Sequence, residues 1–170
     1  MIFEFGPLWQ LALAAPVGLY GLANAAVLSA GGVGSWLSAR LTLSKPASIV
    51  GIAGLLVVSS LALVVVRNVV VVIMAQGVLV AGGVSVSMVF TRLLHDSLSS
   101  RVRAGAASGV GALSSMAFVL FALLFGVVSQ HAGVFRAGWM VVGVALLAGA
   151  LLITVAMGRD FKGSTHHIDK

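Results

Sequence analysis

The sequence predicts an all-α protein, a polytopic bundle of five transmembrane helices with its N-terminus outside and its C-terminus in the cytoplasm. Three observations predict it. Hydrophobic residues make up 60% of the chain and charged residues only 8%, against roughly 25% charged in an average soluble domain. So few polar side chains cannot cover a water-soluble core of this size. The apolar stretches are long and unbroken, without the alternation of a barrel strand, which favours helices. Finally, the basic residues fall in the gaps between these stretches, and the gaps alternate in charge. Arg40, Lys45, Arg92, Arg101, Arg103, Arg159, Lys162 and Lys170 fall on one side, whereas Arg67 and Arg136 fall on the other. Basic loops stay in the cytoplasm, so the richer side is inside.

The first span is expected at about 9–33, preceded by an extracytoplasmic segment, residues 1–8. That segment has Glu4 and no basic residue, and the apolar stretch after it is too long for a secretory h-region. Pro16, Gly18 and Gly21 predict a bend in the outer half of this span, and Asn24 lies near its middle. Between Pro46 and Thr91 the strongly polar residues are Arg67, Asn68 and Gln76. One helix over that stretch would be roughly 69 Å long, more than twice a bilayer core of about 30 Å. The chain must turn at Arg67-Asn68, giving a second span at about 47–66 and a third at about 69–91. A polar loop is expected from Arg92 to Arg103, a fourth span at about 105–129, and a short connector from Gln130 to Arg136. A fifth span follows at about 137–157, and a polar cytoplasmic tail at 158–170 is expected to lack order.

Texture separates the spans. The second and fifth are bulky and aliphatic, suited to lipid. The fourth opens Gly105-Ala106-Ala107-Ser108-Gly109, and Gly105 and Gly109 form a small-xxx-small pair that lets helix backbones approach closely. The first span is similarly rich in Gly, Ala and Ser. The first and fourth spans are therefore expected at protein–protein contacts.

Several functions find no support. Cysteine is absent, so there is neither a disulfide framework nor a thiolate metal site. The net charge of +6 is not organised into a basic cluster interleaved with aromatics, and no nucleic-acid motif occurs. Adjacent His166 and His167 in the tail read as solvated rather than metal-binding. Ser114 and Ser115 have no neighbouring base, and Gly82-Gly83 sits in an apolar helix rather than a phosphate-cradling loop. No catalytic residue, metal site or cofactor is expected, and the chain does not read as an enzyme.

Two loops resemble those of a known family. Gly31-Gly32-Val33-Gly34-Ser35-Trp36-Leu37-Ser38-Ala39-Arg40, leading through Leu41 to Lys45, resembles the cytoplasmic loop motif of the major facilitator superfamily, roughly G-x-L-x-D-R-x-G-R-R. Arg40 matches the motif's Arg and Leu37 its apolar position. Ala39 stands where the family has Asp, and Ser35 where it has Gly. The stretch from Arg92 through His95, Asp96, Arg101 and Arg103 to Gly105 and Gly109 is similar to the second cytoplasmic loop of that family's C-terminal half. The resemblance implies that the five spans correspond to the family's eighth to twelfth helices. The seventh helix and the whole N-terminal half then lie outside this chain. It further implies a small-solute transporter, with the tenth helix lining the cavity and the ninth and twelfth facing lipid.

Within the membrane, Asn24 and Gln76 are the best polar candidates for solute contact, with Ser85 and Ser87 on the cavity helix. At about 100° per residue, Gln76, Ser85 and Ser87 cannot share one face. Interhelical hydrogen bonding is the competing reading for the two amides. Asp96, Arg101 and Arg103 are candidates for a salt-bridge cluster at a cytoplasmic gate, competing with topogenic charge and lipid phosphate contact. The expected setting is the cell membrane, with the lipid bilayer and either a missing N-terminal half or a second copy as partners, and a small solute of unknown identity. The rival reading is a small non-transporting membrane protein that oligomerises through Gly105 and Gly109 or assists assembly of another complex.

Overall fold

The computed structural model describes residues 2–40, 46–97 and 100–165, with side chains described for 4–40, 48–92, 94 and 105–154. Six helices follow one another: α1 (Ile2–Ala12), α2 (Val17–Arg40), α3 (Pro46–Val65), α4 (Val69–Ser97), α5 (Ser100–Ala132) and α6 (Val134–Thr165). Among the described residues there is no strand. Five helices carry windows long and apolar enough to cross a membrane: Val17–Arg40, Ser48–Val65, Val69–Arg92, Gly105–Ala132 and Val134–Thr154. The chain is a multi-pass helical membrane bundle.

The first span differs from expectation. The helix expected at 9–33 is divided, and the crossing runs over Val17–Arg40. Residues 2–8 of the expected leading segment belong to α1, which runs from Ile2. Pro16 supplies the physical reason. It cannot continue a helical ladder, and it disfavours helical geometry at Ala15. The chain ends α1 with Ala14 at φ 51°. Ala15 N–H then donates to Gln10 O at 2.9 Å and Ala14 N–H to Leu11 O at 3.0 Å. This is the paired six-to-one and five-to-two pattern of a Schellman cap, made with alanine where glycine is usual.

The turn expected at Arg67-Asn68 is present. Asn68 Oδ1 accepts from Val70 N–H at 3.0 Å and Val71 N–H at 3.3 Å, capping α4 without glycine or proline. The Arg67 guanidinium lies 3.4 Å from the Phe135 ring centroid, tying this turn to the start of α6. The connector expected at Gln130–Arg136 contracts to one residue, Gly133, at φ +84°. The polar loop expected over Arg92–Arg103 is largely helical, as α4 extends to Ser97 and α5 begins at Ser100. Likewise α6 continues through residues 158–165 of the expected tail. No proline interrupts these stretches, so hydrogen bonding propagates past the apolar part. His166 and His167 lie outside the described residues.

The helices alternate in direction, so one end of the bundle carries Arg67 and Arg136 and the other Arg40 and Arg92. Helix α2 packs on α4, α3 on α6, and α3 also on α4. The core gathers Trp9, Leu56, Leu63, Val72, Leu79, Phe125, Ala137 and Val141. Small residues set the closest approaches. A methyl group at Gly34 would lie 2.8 Å from Ala81 Cα, and one at Gly149 would lie 3.3 Å from Ala53 Cβ. Both bulky spans, α3 and α6, are 39% buried within their apolar windows, whereas α2 is 17% and α5 only 6% buried. The bulky helices thus give one face to each other, and the small-residue helices remain largely uncovered.

Candidate functional site

Helix α1 is too short to cross a membrane. Its 11 residues rise about 16 Å, about half of a bilayer core. It is nonetheless embedded in the bundle. Trp9, 1% exposed, donates its indole N–H to Leu63 O at 2.9 Å, and Gln76 Nε2 donates to Gly6 O at 3.3 Å. Phe5 packs on Phe118, Phe121 and Phe125 with centroids 6.3, 6.1 and 4.5 Å apart. Burial of these rings holds the half-helix against α3, α4, α5 and α6.

Beyond the first turn of α1 the bundle opens into a groove of about 560 Å3. Its walls are Phe5 and Trp9 from α1, Leu56 from α3, Leu79, Val80, Gly83, Val84, Ser87 and Met88 from α4, Phe121 from α5, and Val141, Val144, Ala145 and Ala148 from α6. From Leu79 to Met88 the α4 wall rises about 14 Å, about half of a bilayer core. The lining is apolar and aromatic, with Ser87 as its one hydroxyl-bearing side chain. A concave apolar site with few convergent polar groups, between helices of a bundle, is the usual form of a small-molecule pocket.

Glu4 is the residue that sequence reasoning passed over. Assigned to a leading segment, it was counted outside every span. The structure puts it one residue before Phe5, whose ring meets Phe118 and Phe121 near the middle of the Gly105–Ala132 window. Glu4 therefore lies level with the central part of the apolar window of α5. It is exposed, and no ion pair engages it among the described residues. It shares a face of α1 with Leu11, opposite Trp9 and Gly6 by helical periodicity. The signal available in the sequence was the run of apolar residues on both sides of Glu4, which already made residues 2–12 too apolar for an aqueous segment. Glu4 is also the one acidic residue in the described side chains.

The other candidates divide. Ser87 lines the groove. Ser85 does not: 1% exposed, its hydroxyl sits 2.8 Å from both Gly34 O and Ala81 O, in the α2–α4 contact. Gln76, also 1% exposed, is spent on Gly6, which is the interhelical role. Asn24 is exposed on α2, away from the groove lining. Gly34 stands inside α2 rather than in a loop, as the close-approach point against Ala81. Arg40 stacks on Trp36 at 4.1 Å from the ring centroid, and Arg92 Nη1 donates to Ser38 O at 3.2 Å. Ser38 Oγ in turn lies 3.2 Å from Met88 Sδ, so this end of α2 is sewn to α4. Lys45 and the side chains of Asp96, Arg101 and Arg103 lie outside the described residues. No described residue lies within 4 Å of a methyl built on Gly105 or Gly109. Sequence reasoning also missed Gln10, 3% exposed, whose Oε1 has no hydrogen-bond donor. Among the described residues no His, Asp or Glu group gathers into a metal site.

The groove can seat an apolar molecule between α1, α4 and α6. No family model, curated protein or solved structure matches the chain.

Proposed function

We propose that the chain is one helical half of a small-solute transporter of the major facilitator kind, working with a second membrane half across the face formed by α1, α2 and α5. The observation that carries this reading is the interrupted crossing, half helix and half groove, with Glu4 level with the central part of the apolar window of α5. Transporters build solute sites near the bilayer midplane from discontinuous helices of this sort. Ionisable residues at such depth face a bundle interior or a water-filled cavity rather than lipid. The sparse burial of α2 and α5 supports the same face as the place where a second half docks. The basic loops orient the Arg92 end to the cytoplasm of the cell membrane.

Gly105 and Gly109, with no described residue within 4 Å of an added methyl, favour one alternative, a small non-transporting protein that associates with itself through α5. Cross-linking in native membranes separates the two. The chain has no cysteine, so single cysteines placed at Leu113 or Leu120 on α5, and at Val58 on α3 as the control, report cleanly. The transporter reading expects α5 positions to cross-link to a different membrane protein, with Val58 giving no such product. Chain-to-chain products from α5 establish the alternative. Gradient-driven solute uptake by the purified monomer in liposomes overturns the half-transporter reading outright.

A further inference from the structure

We infer that the groove is a lipid site, which takes one acyl chain of an anionic phospholipid whose phosphate is held by Arg92. The groove and Arg92 lie on one line. The α4 wall steps through Val80, Val84 and Met88, and Arg92 follows one turn later on the same side of the helix. Met88 ties the two together. It lines the groove, its Sδ lies 3.2 Å from Ser38 Oγ, and Ser38 O accepts from Arg92 Nη1 at 3.2 Å. One serine thus touches both a wall residue and the guanidinium, which fixes the guanidinium at the Met88 end of the groove. Arg92 is exposed and closes the apolar window Val69–Arg92, so it stands where hydrocarbon gives way to headgroups.

The lining changes along its length as a phospholipid does. Its one hydroxyl-bearing side chain, Ser87, is at the Arg92 end. Phe5 and Trp9 cover the other end, because α1 is bonded through Gly6 O to Gln76, one turn before Val80. The depth from Leu79 to Met88, about 14 Å, is about half of a hydrocarbon core, the reach of the chains in one leaflet. Gly83, Ser87, Met88 and Val144 are exposed, so a chain can enter from the side. The lining holds no charged side chain, which leaves charge selection to Arg92. A guanidinium presents several N–H donors in a fork that matches phosphate, so it can serve a headgroup while one donor stays on Ser38 O. A phosphodiester is attracted there, whereas the ammonium of a zwitterionic headgroup is repelled. Basic pockets between helices at the membrane surface bind anionic headgroups in this way. The inference names what the groove holds and does not depend on the half-transporter reading.

Native mass spectrometry of the whole chain, released from micelles holding equal amounts of phosphatidylglycerol and phosphatidylcholine with the same acyl chains, reads binding without transport or a second half. The wild type is expected to retain one phosphatidylglycerol at least tenfold more often than phosphatidylcholine. Arg92→Gln should remove that preference, and Arg92→Lys should keep it. Arg40→Gln removes a charge from the same end, but from the face of Trp36 rather than the groove, and should leave the preference unchanged. Gly83→Leu, which places a side chain in an open stretch of the groove wall, should lower retention of both lipids at least tenfold with helix content unchanged by circular dichroism. Fluorescence reports the position of the chain directly. With Trp36→Phe and Trp139→Phe, Trp9 is the one indole left. Phosphatidylglycerol brominated near the chain terminus should then quench it more than phosphatidylglycerol brominated near the ester. Equal retention of the two lipids, an equal loss of preference in Arg40→Gln and Arg92→Gln, undiminished retention in Gly83→Leu, or quenching no stronger from the chain terminus overturns the proposal. None of these readouts alters the α5 cross-links, which decide the half-transporter reading separately.

Discussion

Substituting Gly34 by alanine probes the tightest contact in the bundle. A methyl there would meet Ala81 Cα at 2.8 Å and Ala81 C at 2.9 Å, whereas carbon atoms rest at about 3.5 to 4.0 Å. Backbone atoms cannot rotate aside, so α2 and α4 must part by roughly 1 Å, and overpacking of this sort costs about 1 to 3 kcal/mol. Separation also stretches the bond from Ser85 Oγ to Gly34 O, 2.8 Å long, and an interhelical bond in a membrane bundle contributes on average about 0.6 kcal/mol. Helix propensity works the other way, since alanine is favoured over glycine by about 1 kcal/mol. The net expectation is a loss of about 0.6 to 2.6 kcal/mol. Gly105→Ala is the matched control, because no described residue lies within 4 Å of its added methyl. Only the propensity gain remains there, about 0.5 to 1 kcal/mol of stabilisation. Unfolding in mixed micelles by titration with sodium dodecyl sulfate, followed by circular dichroism, measures both. If the two substitutions shift stability in the same direction, or within about 0.5 kcal/mol of one another, the close-approach argument for α2 and α4 is wrong.

Three further outcomes are expected. Ala14→Gly should stabilise the chain by about 1 kcal/mol in the same titration, because Ala14 holds φ at 51° and a left-handed non-glycine residue costs about 1 to 2 kcal/mol; a destabilised variant would show that the cap of α1 is not strained. Asn68→Ala removes the side-chain acceptor for Val70 and Val71 N–H and should cost about 1 kcal/mol, whereas Asn68→Asp should restore most of it. Reporter tags inserted after Lys45 and fused after Lys170 should both be shielded from impermeant reagents in intact cells, as the distribution of basic residues requires; exposure of either reverses or breaks the proposed orientation.

What the sequence determined by itself follows from composition and periodicity. Turns had to fall where polar residues interrupt apolar runs longer than a bilayer can hold, so Arg67-Asn68 was legible as a hairpin and four of the five crossings lie close to where hydropathy puts them. Tertiary structure alone decided the rest. Hydropathy treats residues 9–33 as one apolar run and is blind to the backbone at Ala14 and Pro16, where the chain divides. Only packing shows that Trp9 reaches Leu63 and Phe5 reaches Phe121, and those contacts set Glu4 level with the apolar part of α5. Ser85 and Gln76 have the chemistry of solute ligands, yet their hydrogen bonds are taken by Gly34, Ala81 and Gly6, residues remote in sequence. The bilayer's thickness and solvation limits act on each segment separately and can be read along the chain. Which polar atom finds which partner depends on helices that meet only when the chain folds.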